Sequence, residues 1–133
     1  AAKAYGAAYR ARPDNTNFRM AAGTAWQATK QWDEAFALYQ AWTREDPSAA
    51  GAQYQLGRTA ALSGRFLAEG EAALRRYLAL PLVPGQPPLH HAWYRLGQVQ
   101  AHAGKKDAAR VSFQNALKGE PGNDDFQAAL SAL

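Results

Sequence analysis

Three histidines and a few paired acids are the residues here that could do chemistry, and their spacing does not assemble it. His91 and His102 lie eleven residues apart on one expected helix, roughly 16 Å along its axis, too far to share a metal ion. His90 and His91 are adjacent, so on a helix their side chains point about 100° apart. Asp33-Glu34, Glu45-Asp46 and Asp124-Asp125 each fall near an expected helix end, where solvated caps and the helix dipole account for them. The chain has no cysteine, which excludes disulfide and thiolate chemistry. No glycine-rich phosphate loop follows a strand, and no serine-nucleophile motif appears. The expectation is a protein without catalytic residues, metal or cofactor.

Charge narrows the field further. Fifteen Lys and Arg stand against eleven Asp and Glu, mixed along the chain. They form no long basic run and no stripe interleaved with aromatics, so nucleic acid ranks low among partners. No apolar run is long enough to span a bilayer, and no basic start leads into an apolar stretch. The expectation is a soluble domain, cytoplasmic or periplasmic, of a larger protein.

The elements that must carry these side chains are helices. Trp93, Leu96 and Gln100 share one helical face, as do Ala109, Phe113, Ala116 and Leu117. Gly104 stops the first of these helices and Pro121 follows the second, as helix-ending residues should. Two antiparallel helices result, packed closely where Gly97 and Ala109 leave room.

The pattern recurs. Pro13, Pro47 and Pro81 are spaced at 34 and 34, and Pro121 follows after 40. Gly23 and Gly57 are 34 apart, and Gly97 follows after 40. Two independent markers keep one period and gain six residues in the same interval. Those six are expected in the stretch Pro81 to Pro88, too rich in proline for helix.

The order Trp93, Leu96-Gly97, Ala109, Phe113, Pro121 resembles the tetratricopeptide repeat, whose pattern runs Trp-x2-Leu-Gly-x2-Tyr, Ala-x3-Phe, Pro over about 34 residues. Gln100 replaces the Tyr. The resemblance covers nearly the whole chain and implies an all-α, right-handed superhelical solenoid of antiparallel helix hairpins. It requires Gly23, Gly57 and Gly97 to occupy equivalent contacts in successive pairs.

Taken in order, residues 1–15 hold Ala1, Tyr5, Ala8 and Tyr9 at the spacing of a second helix, so the chain is expected to be a fragment of a longer array. Residues 16–49 form a complete repeat, capped by Asp14, Asn15 or Thr16. There Arg19 sits where a large apolar residue is expected, and Trp42 where alanine is usual. Residues 50–89 form a repeat with the extended loop, with Ser48 as the expected N-cap. Strict counting from Gly57 places Glu69, Ala73 and Arg76 inside its second helix. A shift of one residue places Gly70, Leu74 and Tyr77 there instead, which avoids burying two unpaired charges. Residues 90–123 form the third repeat, and 124–133 a helix that either caps the array or opens another repeat.

Without catalysis, binding remains. The resemblance implies that first helices line a concave surface holding a peptide or protein segment. By position that surface would include Asn17, Met20, Thr24 and Gln27, then Gly51, Tyr54, Arg58 and Leu62, then His91, Tyr94, Gln98 and His102. Tyr54 and Tyr94 would be its anchors. Family members that grip a chaperone's C-terminal carboxylate use lysine, asparagine, asparagine, lysine and arginine. The matching places are Met20, Thr24, Gln55, His91 and Arg95, and only Arg95 fits. An acidic group could still meet Arg58 or Arg95. The alternative function is self-association through the terminal helices, which charging Phe126 and Leu130 should abolish. Nucleic-acid binding through Arg75, Arg76, Lys105, Lys106 and Arg110 ranks third.

Overall fold

Helix-period faces, separated by short breaks every dozen or so residues, become eight helices in the computed structural model, which describes residues 1–133. These are α1 (Ala2–Ala11), α2 (Thr16–Ala28), α3 (Trp32–Glu45), α4 (Ala50–Ser63), α5 (Leu67–Ala79), α6 (Leu89–His102), α7 (Lys106–Gly119) and α8 (Asp124–Ser131). Successive helices pack as antiparallel hairpins into a right-handed solenoid. Asn15 and Asn123 cap α2 and α8, each accepting a backbone N–H three residues on at 3.0 Å. Ser48 does not cap α4. Its N–H and hydroxyl both donate to Asp46 Oδ1, and Ala49 takes the N-cap place without a side-chain bond.

Each of the three glycines lets a second helix lie against the backbone of the first. A Cβ at Gly23 would overlap Tyr39, one at Gly57 would overlap Leu74, and one at Gly97 would overlap Phe113, all closer than 3 Å. The three sites are equivalent, as the repeat requires. Their partners follow sixteen residues on in the outer two pairs and seventeen in the middle one. The shifted phase therefore holds: Gly70, Leu74 and Tyr77 are buried, Ala73 with them, and Glu69 and Arg76 face solvent.

The extra residue lies in the α4–α5 turn. Lys30, Gly64 and Gly104 hold the same left-handed place in the three hairpin turns. The next helix starts two residues later after Lys30 and Gly104, but three later after Gly64. Phe66 fills the added place with a second left-handed φ of 56°, and its ring stacks on Phe36 at 4.0 Å. Only five of the six added residues therefore belong beyond this turn. In the proline-rich connection, the Tyr77 hydroxyl donates to the Pro87 carbonyl at 2.5 Å.

The two departures in the first repeat compensate each other. Arg19 is buried with its guanidinium 5.2 Å from the centre of the Trp42 ring. Its Nη2 donates to Glu45 at 2.9 Å and its Nε to the Pro13 carbonyl at 2.6 Å. The indole supplies a flat apolar face for the cation, and the carboxylate supplies its charge partner. Gln100, standing in the Tyr place, is buried and accepts from the Ser112 hydroxyl at 2.6 Å.

Candidate functional site

Helices α2, α4 and α6, the first helices of the three hairpins, lie side by side in one layer. Packing joins α4 to α6, and Gln27 Nε2 on α2 donates to Thr59 Oγ1 on α4 at 2.9 Å. None of these three helices carries an Asp, a Glu or a Lys. The eleven acidic residues all lie on the other helices and the connections.

The expected surface residues divide into two groups. Asn17, Thr24, Leu62 and His102 are exposed, Leu62 to 41%, and Met20, Arg58, His91, Tyr94, Arg95 and Gln98 are half-buried. The Tyr39 hydroxyl approaches Met20 Sδ at 3.9 Å. Gln98 and His102 border an open cleft of about 280 Å³ between α6 and α8, floored by Phe113. Gln27 and Tyr54 do not belong to the open surface. Gln27 is buried in its bonds to Thr59 and Arg58. Tyr54 is 6% exposed, with its ring 5.5 Å from Tyr77. It is a core residue and cannot serve as an anchor. Phe126, 1% exposed, is likewise core, so charging it would break the fold before it tested association.

Two cations organise the open part. Arg58 Nη1 donates to Gln27 Oε1 at 2.7 Å, and Arg95 Nη1 donates to Gln98 Oε1 at 3.0 Å. The Arg95 guanidinium also lies over the Tyr94 ring at 5.4 Å, and its Nε is buried without a partner. Neither arginine has a carboxylate partner, whereas Arg19, Arg65, Arg75 and Arg110 each do. Burial, and then the nearby Arg95 charge, hold the Arg58 guanidinium below its usual range.

At the far end, the structure brings together groups that helix geometry alone would separate. His90 Nε2 lies 3.1 Å from Glu120 Oε2, and donor atoms of His90, His91 and Glu120 all fall within 4.8 Å of one another. Three such donors could contact a divalent cation. Phe126 edges both imidazoles from α8. Burial first, then His90, push the His91 pKa below the usual imidazole value, with Arg95 adding to this and Glu120 opposing it. A depressed histidine binds its proton more tightly in the unfolded chain. Its contribution to stability is therefore present above the unfolded value of about 6.5 and is lost as pH falls from there through the folded value. His91→Gln should flatten the decline of melting temperature on the acid side of about pH 6.5. An unchanged slope would show that other groups set it.

A family model for the tetratricopeptide repeat matches residues 1–50 and 54–126. Among solved structures, a crystal structure of MamA superposes with a TM-score of 0.78 at 22% identity, over 97% of this chain and 72% of that one. A second MamA structure gives 0.77 at 22% identity, over 97% and 67%. YrrB, described as a TPR protein with an unusual peptide-binding site, gives 0.71 at 18% identity, over 98% and 64%. At these identities the likeness is one of fold. No curated protein matches the chain.

Proposed function

The chain belongs to the tetratricopeptide repeat family, and from that premise we propose that it is a non-catalytic scaffold binding a peptide or protein segment along its inner helix face. The observation that carries the reading is the character of that face. Asn17, Met20, Thr24, Leu62, Tyr94, Gln98 and His102 stay at least partly open there, on helices fixed by the packing behind them. Preorganised backbone and mixed side chains reduce the ordering cost of holding an extended guest. The peptide-binding description of YrrB, a fold neighbour, supports the same reading.

The test is selection from a random peptide library, followed by affinity measurement on variants that leave the core alone. Thr24→Trp and His102→Trp fill the inner face at exposed positions, and Val111→Trp marks exposed surface on α7. Selected peptides should bind at least roughly tenfold more weakly to the two inner-face variants and unchanged to Val111→Trp. Equal binding by all three would remove the groove from the proposal. An apparent mass that rises with protein concentration, with no peptide selected, would favour self-association instead.

A further inference from the structure

We infer that the inner face is built for an acidic protein segment, with Asp or Glu side chains of the partner paired with Arg58 and with Arg95. The inference rests on the groove reading above and names its ligand class.

Charge distribution is the first support. A chain with eleven acids and fifteen bases has placed every acid away from the inner helices. Of the fifteen bases only Arg19, Arg65, Arg75, Lys105 and Arg110 have a carboxylate partner, and of the ten without one all but Arg58 and Arg95 are exposed. Arg58 and Arg95 have only the neutral amide oxygens of Gln27 and Gln98. Both are half-buried, so they have given up hydration without gaining a counter-ion. Burial first, and then the Arg95 charge, disfavour the charged form of Arg58. A carboxylate meeting the open side of either guanidinium would supply the counter-charge that the protein itself does not.

Preorganisation is the second support. Gln27, itself fixed by Thr59, holds the Arg58 fork, and the Tyr94 ring lies under the Arg95 guanidinium. Two rigid forks suit a planar carboxylate better than mobile lysines would. The choice of side chain over chain terminus follows from extent. The acid-free layer runs the length of three helices, and a single terminal carboxylate would use one point of it. Nucleic acid fits this face less well, because its two unpaired arginines offer too few phosphate contacts for useful affinity.

The experiment is fluorescence anisotropy with a short Glu-rich peptide carrying an amidated C-terminus. Its Gln counterpart, the Gln peptide with a free C-terminus, and a single-stranded oligonucleotide are the comparison arms. The Glu peptide should bind, weaken with added salt, and lose roughly tenfold or more in affinity with Arg58→Gln and with Arg95→Gln. Arg95→Lys should recover part of the loss, and Arg65→Gln should leave binding unchanged. Circular dichroism checks that each variant is folded, and Arg95→Gln carries the test if Arg58→Gln is not. Equal affinity for the Gln peptide, binding that needs the free terminus, tighter oligonucleotide binding, or no peptide binding at all would each overturn the inference. If library selection yields neutral peptides that the inner-face tryptophans block, the acidic ligand falls while the scaffold stands. If those tryptophans block nothing, the groove itself falls.

Discussion

Gly57→Leu should destabilise the chain by about 3 kcal/mol, near the top of the range for overpacking a closed core. Even a Cβ at this position overlaps Leu74, and Leu74 is fully buried, with no room to swing away. The α4 and α5 backbones must then separate, which opens contacts along the hairpin that sits between the two flanking ones. Leu74→Ala alone should cost about 2–5 kcal/mol through the cavity it leaves. The double variant should cost clearly less than the two losses added, because the new side chain occupies the vacated space. Chemical denaturation of the four proteins measures this coupling. Strict additivity would mean that the two residues do not meet, and the hairpin geometry would be wrong.

Phe126→Ala should release α8 while sparing the rest of the array. The helix has eight residues, too short to persist without tertiary support, and Phe126 is its only buried side chain. That ring packs 4.7 Å from Tyr94 and edges His90 and His91. Its removal should cost about 3–5 kcal/mol of docking free energy. Hydrogen exchange should then show α8 amides near the unfolded rate, with α2 to α5 as protected as before, since each unit touches only its neighbours. Protection retained in α8 would show that other contacts hold it.

How much of this was legible in the sequence depended on whether a residue's role is local or shared. Gly23, Gly57 and Gly97 could be found because close backbone approach tolerates no side chain, whatever else surrounds it. The phase of α5 could be found because burying Glu69 and Arg76 is expensive. Asn15 and Asn123 cap from within their own turns. Tyr54 and Gln27 were misplaced because positions on the flank of an inner helix face both the groove and the neighbouring helix, and spacing within one helix does not say which covers them. The pairing of Arg19 with Trp42 and Glu45 joins separate helices, so each looked like a departure until seen together. Glu120 meets His90 only through the return of α7, a distance that the sequence alone does not measure. The Ser48 hydroxyl donates to Asp46 instead of accepting from the first N–H groups of α4.

The left-handed Phe66 has a consequence for how such a chain can change length. By placing the surplus residue inside the joint, it resets the reading frame before α5 begins, so the inward set from Gly70 to Tyr77 is unaffected by it. Shortening the joint at Arg65 would leave Leu74 sixteen positions after Gly57, the count kept by the flanking units. The same side chains would still point inward. The joint works as a shim, taking up a mismatch in length that would otherwise turn a whole helix about its axis.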